Sequence, residues 1–165
     1  MSEHELREQL YASYKHRALL YWLIYDELSQ ELGAGKAGEV LRRAIYRRGV
    51  AVGAKYAQHA PADLAGLCRA FLDNIPDGGN MFDPQVLHCG ADGLDVTLRR
   101  CPLKDAWQQA GLDDQQVATM CRIAAEIDLG TFQGAGFEFS AETWQPGADG
   151  CCHLHIRPGK KPAGD

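Results

Sequence analysis

From Glu3 to about Leu32 the apolar residues Leu6, Leu10, Tyr14, Leu19, Leu20, Leu23, Ile24 and Leu28 recur at three- and four-residue steps. That is the period of a helix with one apolar stripe. Gly33-Ala34-Gly35 predicts its end, because glycine reaches the left-handed geometry of a C-cap. A second helix is predicted from about Ala37 to His59, with Val40, Leu41, Ile45, Val50 and Val52 toward the core. Its Gly49 and Gly53 lower helix propensity and suggest a close crossing with a neighbouring element. Pro61 suits a first turn, so a third helix is expected to run from there to about Leu72.

Beyond the turn signal Pro76-Asp77-Gly78-Gly79-Asn80 the apolar period falls to that of strands. Val86 to Cys89 and Leu94 to Cys101 read as a hairpin around Gly90-Ala91-Asp92-Gly93. In its second strand Leu94, Val96 and Leu98 share one face, and Asp95, Thr97, Arg99 and Cys101 the other. Pro102 stops that strand. Two helices follow, over about Leu103 to Ala110 and Asp114 to Leu129, the second opened by Asp113 and Gln116 as a capping box. Phe137 to Trp144 and Cys151 to Arg157 form a second hairpin, with Gly134-Ala135-Gly136 as a flexible lead-in. The expected architecture is one α+β domain over residues 1–158. N-terminal helices pack on an antiparallel sheet of about four strands formed by the two hairpins, and two helices lie between the hairpins. Residues 159–165 are expected to be a disordered tail.

Composition narrows the function classes. A chain of 165 residues is long enough to bury one core. Its net charge of -5 argues against non-specific nucleic-acid binding, which needs a basic surface. The longest apolar run, Ala18 to Tyr25, is far too short to span a bilayer, and no signal peptide is visible. The expectation is a cytoplasmic protein acting on a small molecule, with no nucleic-acid or membrane partner. Base rates for small domains favour a homodimer. In the cytosol the six cysteines read as thiols, ligands or nucleophiles rather than as a disulfide framework.

The chemically suggestive residues cluster late in the chain. Cys101 precedes Pro102 at a strand end near Arg99, and a neighbouring cation would raise its thiolate fraction. The alternative is a small buried hydrophobe. Cys121 and Asp128 lie seven residues apart on the packed side of a helix. A carboxylate there must find a partner or change its pKa, so Asp128 reads either as a general base or as a cap for the turn at Gly130. For Cys121 alone the core reading is somewhat the stronger. In the last strand Cys152, Leu154 and Ile156 share the inward face, and Cys151, His153, His155 and Arg157 the outward one. Cys151, His153 and His155 form a weak candidate metal set, against the plainer reading of a solvated face. The basic run Arg42, Arg43, Arg47 and Arg48 is either a solvated helix face or an anion site.

Arg100-Cys101-Pro102-Leu103, Gly111-Leu112, Met120-Cys121, Asp128, and Gly147 through Cys152-His153-Leu154 occur in an order that resembles the L-2-amino-thiazoline-4-carboxylic acid hydrolase family. The resemblance is tightest over residues 98–157 and looser from 37. It implies hydrolytic opening of a cyclic C=N–S centre without a cofactor, with Cys101, Cys121, Asp128 and Cys152 as site residues. Cys101 would be the nucleophile and Asp128 the base. Arg99, or the pair Arg47 and Arg48, would hold the substrate carboxylate. A small-molecule or metal-binding sensor module without turnover is the rival reading.

Overall fold

The structure, a computed structural model, describes residues 1–160. Helix α1 (Glu3–Leu32) starts where Ser2 and Glu5 close a capping box, and it ends at Gly33, whose φ of 81° only glycine adopts readily. Its stripe is only partly buried. Ala18 is fully enclosed and Tyr14, Tyr21, Trp22 and Tyr25 pack at the margin, whereas Leu6, Leu20, Leu23 and Ile24 stay exposed. Helix α2 (Ala34–Gly53) is shorter than the sequence pattern predicts, and the chain continues to His59 as a tighter 3-10 turn. Helix α3 (Leu64–Asp73) begins after Pro61 rather than at it, because Asp63 supplies the N-cap by accepting from the Gly66 N–H.

The sheet has four antiparallel strands in the order β1-β2-β4-β3, from β1 (Pro84–Cys89), β2 (Leu94–Leu98), β3 (Glu138–Glu142) and β4 (Cys152–Arg157). Each hairpin pairs internally, and β2 joins the two by pairing with β4, Val96 opposite Leu154. Leu94, Val96, Leu98, Leu154 and Ile156 are buried, as period-two alternation requires. Strand β2 ends earlier than expected. Arg99 and Arg100 leave the ladder and donate their backbone N–H groups to Asp83 and Phe82, so Cys101 is not a strand residue at all.

Three helices, not two, separate the hairpins: α4 (Pro102–Gln109), α5 (Asp114–Ala124) and α6 (Glu126–Ala135). The expected single helix breaks at Ala125, whose carbonyl accepts from Asp128 N–H at 3.0 Å in a three-residue step. Helix α6 then runs straight through Gly130. Gly134 and Ala135 belong to its last turn and Gly136 is its left-handed cap, so this stretch is helix rather than a lead-in to a strand.

Beyond the break, α6 packs closely on α2. A Cβ on Gly49 would sit 2.9 Å from Gly130 Cα, and one on Gly134 2.9 Å from Val50 Cα. One on Gly53 would meet the backbone of Thr131 at 3.0 Å. These glycines let α2 and α6 cross with their backbones in contact, the close crossing that the sequence suggested. Two buried clusters result. One surrounds Trp107 among α1, α2, α4 and α5, and the other lies beneath the sheet around Phe132. Gly159 N–H donates to Pro61 O at 2.8 Å, so the chain is still tied down there. The tail expected beyond residue 160 lies outside the described residues.

Candidate active site

A cavity of about 520 Å³ opens along the seam between the two clusters. Several elements line it. From α4 comes Cys101, the N-cap residue, followed by Pro102 at the first helical position. The β2–α4 connection turns its half-buried sulfur toward the cavity, against the free amides of Leu103 and Lys104. These are weak donors to sulfur, too loosely placed for an ordinary capping bond. The Cys151 thiol lies against Cys101 and also 3.1 Å from the Cys152 sulfur. The Cys151 contact, and then the two amides, hold the Cys101 thiol below its ordinary value despite burial. Cys151 moves the other way, because its contacts with the Cys101 and Cys152 sulfurs, and then burial, favour the protonated thiol. Cys101 sits at the N-terminus of α4, so of the two thiols it is the one whose ionisation is favoured.

Lys104 fixes this arrangement from the other side. Its Nζ donates to Gly150 O at 2.5 Å and lies 5.7 Å from the centre of the Trp144 ring. Trp144 in turn donates to Ala148 O at 2.9 Å, and Cys151 N–H donates to Leu98 O at 3.0 Å. The loop before β4 is thereby tied to α4 and to β2, and Cys151 is directed inward. The sequence reading placed Cys151 with His153 and His155 on the outward face. That is corrected here, because Cys151 precedes the strand and escapes its alternation. His153 is exposed. His155 is engaged by Asp95 at 2.7 Å and by Glu142 at 3.4 Å. No cluster of three or more His, Cys, Asp or Glu side chains able to hold a metal occurs among the described residues.

The other anticipated residues divide. Cys121 on α5 and Cys152 on β4 both line the cavity. Burial, and then the charges of Cys101 and Cys152, push the Cys121 thiol up, so it stays protonated. Asp128 lies in the first turn of α6, not capping a turn at Gly130, and it too lines the cavity. The residue is half-buried where it lines the cavity, and burial pushes its carboxyl up to about 7. Among the described residues no hydrogen-bond donor is assigned to it. Arg48 lines the cavity, whereas Arg47 and Arg99 do not. Arg47 is exposed on α2, and Arg99 reaches outward to Asp83 at 2.9 Å.

Three further side chains that no sequence motif marks reach the cavity. Arg17 stands 4.4 Å from the centre of the Tyr14 ring. Lys55 stands 4.9 Å from that of Tyr56 and donates to Asn74 Oδ1 at 3.1 Å. Tyr56 is buried, and burial followed by the charge of Asp128 pushes its hydroxyl up to about 12, which keeps it a proton donor. All three line the cavity. They lie in or beside helices read as scaffold, and no local motif marks them.

Fold and site together define an α+β protein with a cavity walled by thiols, aromatic rings, cations and one acid. The chain belongs to the L-2-amino-thiazoline-4-carboxylic acid hydrolase family, whose model matches residues 11–156. The match takes in most of α1, well beyond the region where the resemblance was tightest. None of the curated proteins is similar enough to the chain to count as a match. No helix among the described residues is long and apolar enough to cross a membrane.

Proposed function

We propose that the protein hydrolyses the C2 centre of a 2-amino-thiazoline-4-carboxylate-type ring, with Cys101 as nucleophile. One observation carries this reading. The Cys101 sulfur, favoured as thiolate at a helix N-terminus, opens onto the same cavity as Asp128 and a set of cations. The thiolate adds to C2, the C2–S bond breaks, and the ring sulfur leaves with a proton. The enzyme then carries an S-linked isothiourea. Asp128, titrating near neutrality, takes a proton from water as the water adds to the same carbon. Collapse expels the Cys101 thiolate and leaves an N-carbamoyl cysteine. Arg48, joined by Arg17 or Lys55, pairs with the substrate carboxylate. Cys151 holds the proton that keeps Cys101 charged, while Cys121 and Cys152 complete the thiol wall.

The test is alkylation over a range of pH with each cysteine assigned by mass spectrometry. Cys101 should react with a midpoint below the ordinary thiol value of about 8.5, and Cys101→Ser should abolish turnover of the ring substrate. If Cys101 stays inert while exposed Cys89 reacts normally, the nucleophilic mechanism fails. A binding module without turnover then becomes the better account.

A further inference from the structure

The cavity is too large and too apolar for a bare ring amino acid. We propose that the substrate class of this chain is an amphipathic anion: a thiazoline-type ring carboxylate carrying an apolar substituent about the size of a phenyl group. The inference rests on the hydrolase reading for the ring and goes beyond it for the rest of the ligand.

Size is the first argument. A 2-amino-thiazoline-4-carboxylate has about nine non-hydrogen atoms, and even at the roughly 30 Å³ that a water occupies in the liquid these fill about 270 Å³. That is about half of the 520 Å³ present. A cavity of this size falls in the class that encloses ligands well beyond a single ring.

The walls supply a second reason. Besides the thiols the cavity has two aromatic corners of matching design. In one, Tyr14 meets Phe82 edge-on at 5.8 Å and Arg17 lies over Tyr14 at 4.4 Å. In the other, Tyr56 meets Phe71 edge-on at 6.5 Å and Lys55 lies over Tyr56 at 4.9 Å. Phe71 and Phe82 are only half-buried, and both line the cavity. Apolar walls hold water poorly, so a substituent that displaces it gains affinity without breaking hydrogen bonds.

Charge is the third. The chain carries a net charge of -5, yet three cationic side chains line the cavity against one acid. An anionic head with an apolar body satisfies both the rim and the walls.

Calorimetric binding to the Cys101→Ala protein tests this with two probes, 2-amino-thiazoline-4-carboxylate and its derivative benzylated on the exocyclic nitrogen. The benzyl probe should bind at least about tenfold tighter, as expected from burying a phenyl ring. Phe82→Ala, added to the same protein, should reduce that ratio to below about threefold. The ratio of kcat/KM for the two probes with the native protein gives a second reading that does not depend on either variant. If the parent ring is turned over and binds as tightly as the benzyl probe, or is turned over in preference to it, the proposal falls and the hydrolase reading stands; if the two bind equally and neither is turned over, both fall. If the benzyl probe binds more tightly but neither is turned over, the ligand class stands and the hydrolytic reading falls. If neither binds, both fall.

Discussion

Replacing Asp128 by Asn removes the acid whose charge is most costly to keep in the folded protein. In the unfolded chain the carboxyl titrates near 3.8, and burial in the cavity moves it to about 7. Each tenfold difference between those constants is worth about 1.4 kcal/mol, so ionising Asp128 in the native state costs about 4 kcal/mol. The sign follows from proton counting. Between about pH 4 and pH 7 the native state holds a proton that the unfolded state has released, so this group lowers stability as pH rises. Above about 7 both states are ionised and the loss is complete. An amide of similar shape carries no charge at any of these pH values, although burying it also has a cost. Asp128→Asn should therefore be more stable than the native sequence by about 1–4 kcal/mol at pH 8 and about equal to it near pH 4. Urea unfolding of both proteins across pH 4–8 measures the difference, in which all other titrating groups cancel. The substitution should also remove turnover, since the amide cannot accept a proton. A difference that does not change with pH, or an Asn variant less stable than the native protein at pH 8, would refute the burial argument and with it the assignment of Asp128 as base.

Two further perturbations test how the site is held. Gly49→Ala and Gly130→Ala should each lower stability by about 1–3 kcal/mol in the same unfolding assay, because the added methyl meets backbone rather than a movable side chain. Gly35→Ala, in the same helix α2 but with open space at its Cβ, should lose nothing and gain up to about 1 kcal/mol; a uniform gain at all three positions would sink the close-crossing account. Lys104→Met should free the loop that presents Cys151 and raise the midpoint of Cys101 alkylation, and Lys104→Arg should restore it in part. An unchanged midpoint in Lys104→Met would mean that Lys104 does not position the thiols.

Much of the fold was legible because it is local. The capping boxes at Ser2 and Asp113 and the alternation of Leu94, Val96 and Leu98 place helix starts and a strand face from neighbouring residues alone. The glycines of α2 signalled a close crossing. The partner, Gly130 and Gly134 on α6, is not legible locally, because glycines at these places in the pattern read as a helix end and a loop. The site divides in the same way. Cysteine and aspartate stand out by their chemistry, so Cys101, Cys121, Asp128 and Cys152 were named from sequence, and all four line one cavity. Arg99 and Cys151 were given the faces that strand alternation dictates, but β2 ends at Leu98 and β4 starts at Cys152, so alternation does not govern them. Arg17, Lys55 and Tyr56 are ordinary residues of helices and turns by any local measure. Only the packing of α1 on α2 and α4, and of the 3-10 turn after α2 on α6, sets them around the thiols. Short-range propensity and capping belong to the sequence itself, whereas which charges and rings share a cavity depends on contacts between residues more than a hundred positions apart.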